Sequence, residues 1–146
     1  IIRVGASSEV EMIEKKHRIE DALEAVRSAQ QEGIVPGGGT TLLRIAQSIT
    51  PNFPTEEQAV ALPIFRRALE APFRTMASNA GLSPDVLTWI LNDTAGFEGY
   101  DFSTGKRVDL LEKGIIDPAK VTRCALKNAV SVAGTLLLTN HSIVHQ

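Results

Sequence analysis

The stretch EGIVPGGGTTLLRIA, Glu32 to Ala46, decides how this chain is read. Three consecutive glycines separate a short apolar turn from a run with helical spacing, in which Leu42, Leu43, Ala46 and Ile49 fall on one face. Glycines directly before a helix serve one of two ends. They bring backbone N–H groups and the positive end of the helix dipole up to an anion, or they let two elements approach where side chains would collide. The loop is not a Walker A motif, since no Gly-Lys-Ser/Thr follows. Nor is it a dinucleotide fingerprint, since no strong parallel strand precedes it. The glycines alone leave a nucleotide wall and a plain helix joint both open.

Upstream, Ser8-x-x-Glu11 is a capping box, in which the serine hydroxyl takes a free first-turn N–H and the glutamate reaches back to the cap. Val10, Ile13, Ile19, Leu23, Val26 and Ala29 continue at helical spacing, and Gly33 supplies the stop. The stripe is narrow and the rest is charged, which fits a helix that links or leans on a neighbouring domain. Downstream, Thr55-x-x-Gln58 opens a helix to about Glu70, interrupted at Pro63, and Pro72 is placed in the first turn of a further helix ending at Asn79-Ala80-Gly81. Pro51 and Pro54 mark the loop before it. Ser83-Pro84 starts a short helix through Leu91, carrying Trp89 as a core or interface residue. Gly96 to Leu110 reads as a hairpin turning at Ser103-Thr104-Gly105. Asp117-Pro118 reads as a helix cap with proline at the first helical position, launching Ala119 to Leu138. Ile1 to Val4 and Ser142 to Val144 read as short edge strands. The fold class is therefore mainly α, with one small hairpin and strand fragments.

The 146 residues suffice for one real core. A net charge of −2, with basic residues scattered among acids, gives no electrostatic footprint for nucleic acid or an anionic membrane. No apolar run is long enough to span a bilayer. The single Cys124 excludes an internal disulfide and reads as a small buried hydrophobe in a reducing compartment. His141-x-x-x-His145 has metal-like spacing but no third ligand nearby, so no metal site is expected. Beginning at Ile1 and ending just after a strand-like run, the chain reads as a piece of something larger.

Two long blocks carry a resemblance. VGASSEVEMIEKKHRIEDALEAVRSAQQEGIVPGGGTTLLRIA and GYDFSTGKRVDLLEKGIIDPAKVTRCALKNAVSVAGTLLLT resemble the C-terminal part of group I chaperonins, the GroEL type. The combined motifs E-x-E-x-x-E-K-x-x-R-x-E-D-A-L, G-G-G and G-I-x-D-P-x-K-V-T-R make the resemblance specific over essentially the whole chain. It implies the C-terminal half of an equatorial helical bundle over 33–146, and a strand and long helix of the intermediate domain over 1–32. It further implies an ATP-driven protein-folding machine of stacked homo-oligomeric rings in the cytoplasm or an organelle matrix. Non-native polypeptides and a lid co-chaperonin would be held by parts absent from this chain.

The resemblance assigns residues one at a time. Asp21, by composition an ordinary solvated helix position beside Glu20 and Glu24, matches the catalytic aspartate that helps activate water for ATP hydrolysis when its domain swings over the nucleotide. Gly38, flanked by Gly37 and Gly39, matches the glycine lying against the nucleotide. Asp117 matches the aspartate that binds the nucleoside, a role compatible with capping a helix. Ile115 matches an apolar wall. Asp101, Phe102 and Ser103 occupy the adenine-contacting stretch but depart from the small Asn-Ala-Ala-like residues of relatives, so Phe102 either stacks on the base or fills its place. The phosphates and magnesium of ATP or ADP fall to a Gly-Asp-Gly-Thr-Thr loop outside this chain. Isolated, it is expected to form one wall of the site and ring contacts without efficient hydrolysis. A divergent scaffold or binding module that has lost tight ATP use is the alternative.

Overall fold

The structure, a computed structural model, describes residues 1–50, 55–91 and 96–143, with the backbone alone at 89 and 90. Nine elements follow in order: α1 (Glu9–Glu32), β1 (Ile34–Pro36), α2 (Thr40–Ser48), α3 (Glu56–Asn79), α4 (Pro84–Leu91), β2 (Glu98–Asp101), β3 (Lys106–Asp109), β4 (Ile116–Pro118) and α5 (Ala119–Leu137). β1 pairs with β4 and β2 with β3. Two compact units result, Ile1–Ile34 with Pro118–Gln146, and Val35–Asp117.

In the first unit α1 packs along α5. The Ser8 hydroxyl accepts from Glu11 N–H at 3.3 Å, while the Glu11 carboxylate accepts from Ser7 N–H at 3.1 Å, one residue outside the expected box. Gly33, with φ +80°, closes the helix by donating to the Ala29 carbonyl at 2.8 Å. Pairs at helical spacing (Lys15 with Glu11, Lys16 with Glu20, Arg18 with Glu14, Arg27 with Glu24) line the exposed face. Each contributes only tenths of a kcal/mol, about 0.2–0.5. Arg123 of α5 forks onto Glu32 at 2.5 and 2.9 Å and holds that carboxyl below its usual range. Neither helix buries a side chain. Residues 1–6 adopt no regular structure, so the expected N-terminal strand is absent: no neighbouring strand offers it a ladder. Ser142 and Ile143 are likewise outside any strand, and Val144 and His145 lie outside the described residues.

The second unit holds the core. Leu43, Phe73, Ala77, Leu87, Leu91 and Tyr100 form one buried cluster, with Leu82 and Phe102 packed against it. Phe73, Leu43, Leu69 and Leu91 are almost fully buried, each contributing about 1.5–3 kcal/mol by transfer. The 24-residue α3 supplies Leu62, Leu69, Phe73 and Ala77. It is one helix, not the two that its prolines predict. Pro63 and Pro72 sit on its exposed side, as do Ala59 and Ala68, whose carbonyls lose the amide partners the prolines cannot supply, while the buried stripe continues unbroken. Thr55 caps it as expected, accepting from Gln58 N–H at 3.3 Å. Arg74 ties α3 to α4 through Asp85 at 2.5 Å. Pro51 and Pro54 lie outside the described residues, as does the side chain of Trp89.

β2 and β3 pair antiparallel with Gly99 opposite Val108 and Tyr100 opposite Arg107. Their turn is held by Asp101, whose Oδ1 accepts from the Ser103 N–H at 2.9 Å and hydroxyl at 2.6 Å, and whose Oδ2 accepts from the Thr104 hydroxyl at 2.7 Å. These donors favour the charged form and lower the Asp101 pKa to about 2. Tyr100 donates its hydroxyl to the Gly105 carbonyl at 2.8 Å across the same turn.

Two predictions follow from these contacts. Gly39 has φ +71°, and a Cβ there would stand 2.8 Å from Met76 Cε and 2.9 Å from Phe73 N, whereas nothing lies within 4 Å at Gly134 in α5. Gly39→Ala is therefore expected to destabilise by about 2–4 kcal/mol and Gly134→Ala to stabilise by about 0.5–1 kcal/mol, read from urea unfolding midpoints. Equal effects would refute the close approach. For Asp101, the folded pKa lies below the unfolded value of about 3.9, so its contribution is present above pH ~4 and is lost as pH falls toward 2. Over that window the unfolding midpoint of the wild type should drop more steeply than that of Asp101→Asn; parallel curves would remove the carboxylate from the turn.

Candidate functional site

The second unit gathers the glycine run, the start of the hairpin turn and the segment before α5 into one place. The Gly37 N–H donates to the Ile115 carbonyl at 3.0 Å, and Gly37 O accepts from Thr40 N–H at 3.1 Å, closing a turn into α2. A Cβ on Gly37 would meet the Ile115 backbone at 3.0 Å. Gly39 is the helix cap, is left-handed and contributes no side-chain bond to the first-turn amides, which leaves the positive end of α2 without a side-chain cap. Thr41 fastens the run from the other side by donating its hydroxyl to the Pro36 carbonyl at 2.6 Å.

The three glycines are not equivalent. Packing of the protein itself excludes a side chain at Gly37 and at Gly39. At Gly38 an added Cβ would make only ordinary contacts, 3.9 Å from Ile115 Cγ2 and 3.9 Å from the Tyr100 carbonyl oxygen. Its φ of +63° favours glycine, yet no protein atom takes the space. Gly38, the Tyr100 carbonyl and the Ile115 side chain thus border a common surface.

Asp117 does not cap α5. It lies in β4, Pro118 is the cap residue, and no side chain caps this helix. The helix begins at Ala119, so Pro118 takes the cap position and Asp117 stands one residue before it, in β4. The side chain is half-buried with no hydrogen-bond or ion-pair partner among the described residues, and burial raises its pKa above the usual carboxylate range. A half-buried acceptor with open lone pairs is the group a hydroxyl-bearing ligand would satisfy.

Asp101 and Phe102 stand differently. The Asp101 carboxylate is buried and engaged by its own turn. The Phe102 ring packs inward, 5.5 Å from the Phe73 centroid at 57° and 5.4 Å from that of Tyr100 at 61°. Ser103 is exposed, with its hydroxyl turned to Asp101. In this turn the Asp101 carboxylate is thus bonded to its own neighbours, the Phe102 ring is half-buried against Phe73 and Tyr100, and Ser103 is exposed. Asp21 lies on the exposed face of α1, in the first unit. Tyr100 and Thr41 were not legible as site residues, because their parts are played by a backbone carbonyl and a hydroxyl tied to a residue five positions away. Among the described residues no group of three His, Cys, Asp or Glu side chains is placed to hold a metal. No described helix is long and apolar enough to cross a membrane.

Comparison with known proteins gives this geometry a context. The solved structure described as a group III chaperonin in the open state superposes with a TM-score of 0.80 at 31% identity, over 96% of this chain and 30% of that one. The chain thus spans under a third of the length of that relative. The mainly helical architecture with its small hairpin matches the chaperonin equatorial fold. The profile of the TCP-1/cpn60 chaperonin family matches residues 1–146, and the chain belongs to that family.

Proposed function

We propose that this chain supplies one wall of the nucleotide site of an ATP-dependent, ring-forming protein-folding chaperonin of the group I type. The observation that carries this is the meeting of Gly38, the Tyr100 carbonyl and Ile115 around space that no described atom fills, with the Asp117 carboxylate, unpaired among the described residues, two residues on from Ile115. The group I assignment rests on the two quoted sequence blocks. Residues 33–146 are assigned to the equatorial domain and 1–32 to the intermediate domain.

In this reading Gly37, Gly38 and Gly39 form a side-chain-free floor, Ile115 an apolar flank, and Asp117 accepts hydrogen bonds from ribose hydroxyls. The turn of Asp101, Phe102 and Ser103 contributes backbone to the base. ATP, with magnesium on its phosphates, supplies the hydrolysable bond. Asp21 is the catalytic carboxylate that orients water and takes its proton. Clients, the lid co-chaperonin and neighbouring subunits of the ring are the partners. Exposed Val130, Val132, Leu136 and Leu137 on α5 support a surface covered in the assembled protein. A second reading, a chaperonin-like scaffold without tight nucleotide binding, is favoured by one feature: Asp101, in the base-contacting stretch, spends its carboxylate on its own turn.

Titration with ADP followed by backbone amide NMR separates the two. Shifts are expected at Gly37–Gly39, Tyr100–Ser103 and Ile115–Asp117. Gly38→Asn, which tolerates positive φ, should stay folded yet lose those shifts. Asp117→Asn should weaken binding about tenfold, or about 1.4 kcal/mol. In a full-length subunit Asp21→Asn should slow ATP hydrolysis by about 100-fold or more without changing ADP affinity. A folded wild type that shows no shifts at millimolar ADP would overturn the wall in favour of the scaffold.

A further inference from the structure

Phe102 is the one side chain of the turn 102–105 that reaches the core; Ser103, Thr104 and Gly105 are exposed. Its ring is wedged between Phe73 of α3 and Tyr100 of β2, at centroid distances of 5.5 and 5.4 Å in tilted and edge-on arrangements. Tyr100 in turn presents its carbonyl toward Gly38 and its hydroxyl to the Gly105 carbonyl. The Gly105 N–H closes the loop on the Asp101 carbonyl at 2.9 Å. The two ring contacts therefore join the polar bonds of the turn to the core and to the strand whose Tyr100 carbonyl borders the candidate wall. The ring's described aromatic contacts are both with the protein itself.

We propose that Phe102 is a positioning residue: by docking on Phe73 and Tyr100 it holds the Asp101–Gly105 turn and the Tyr100 carbonyl in place before any ligand arrives. This deepens the nucleotide-wall reading and, where ligand binding is concerned, rests on it. Filling the space between Phe73 and Tyr100 is what matters, so an aliphatic side chain of similar bulk preserves the function, whereas a direct stacking role would need the π face.

The test uses the whole chain and the variants Phe102→Ala, Phe102→Leu and Leu87→Ala, the last deleting a member of the same core cluster outside the turn. Amide hydrogen exchange without ligand is the first readout. In Phe102→Ala the Ser103 and Gly105 amides should lose about tenfold more protection than the α2–α4 helix amides, while Leu87→Ala lowers helix and turn protection together and Phe102→Leu keeps the turn. The second readout is ADP affinity: Phe102→Ala should weaken it about tenfold and Phe102→Leu by less than about threefold. Uniform loss of protection in Phe102→Ala would reduce Phe102 to a packing residue and overturn the proposal. Tighter ADP binding by Phe102→Ala would show a blocking ring, and loss of ADP binding in Phe102→Leu with the turn still protected would show stacking; either overturns it. If the wild type binds no ADP, the nucleotide wall fails, and the exchange data alone decide whether Phe102 holds the turn. Should Phe102→Ala not fold, Phe102→Val gives the same comparison with a smaller cavity.

Discussion

The close approach of backbone to backbone at Gly37 and Gly39 is the constraint on which the second unit depends. A hydrogen bond from Gly37 to Ile115 brings two segments nearly eighty residues apart into contact, and the Cβ position of Gly39 comes within 2.9 Å of the α3 backbone. Contacts this tight exist only without side chains, and the two successive positive φ angles at Gly38 and Gly39 reverse the chain into α2 at little steric cost. Once α2 starts there, Leu43 and Ala46 fall onto α3 and the rest of the cluster closes around Phe73. Packing and the candidate site thus share one origin. The glycines that let the core close also leave Gly38 facing unfilled space.

The hairpin is fastened to this core by polar and aromatic contacts of different character. Arg44 of α2 donates to the carbonyls of Gly96 and Glu98, anchoring the entry of β2. At Gly99 a side chain is excluded because the position presses against Leu110 and the Thr40 hydroxyl. At the far end Asp101 organises the turn through charged hydrogen bonds and Phe102 docks it hydrophobically. Asp109 repeats the device one turn later, accepting from Leu111 and Glu112 N–H at 2.8 and 3.0 Å. Besides the ion-paired Glu70, Asp85 and Glu98, three aspartates of this unit show two uses of a carboxylate. Asp101 and Asp109 are spent on neighbouring hydroxyls and backbone amides, while Asp117 is half-buried with no partner among the described residues and so has lone pairs open to an incoming hydroxyl.

Membership of the TCP-1/cpn60 family makes sense of features that a self-contained domain would not need. The first unit joins a highly charged helix to an apolar one with no side chain of either buried. Helices stabilise mainly through a buried face, so such a pair draws on surfaces beyond its own. The proposed role of Asp21 places a catalytic group on that unit and the nucleotide wall on the other.

Local signals in the sequence located most elements. Ser8 and Thr55 mark helix starts, Gly33 a helix end, and Ser103-Thr104-Gly105 a hairpin turn, because each acts on backbone groups within a few residues and needs no distant partner. The glycine run and Asp117 stand out as candidate site positions through family motifs, not through spacing. Tertiary structure decided the rest. It carried α3 through Pro63 and Pro72, since a continuous buried stripe outweighs the helix hydrogen bonds two prolines cannot make. It began α5 at Ala119, which puts Pro118 at the cap and Asp117 one residue before it, and it left residues 1–6 outside any strand. It also drew the Phe102 ring against Phe73, a contact between residues 29 positions apart. Such outcomes depend on which distant surfaces meet, and no local pattern of residues encodes that.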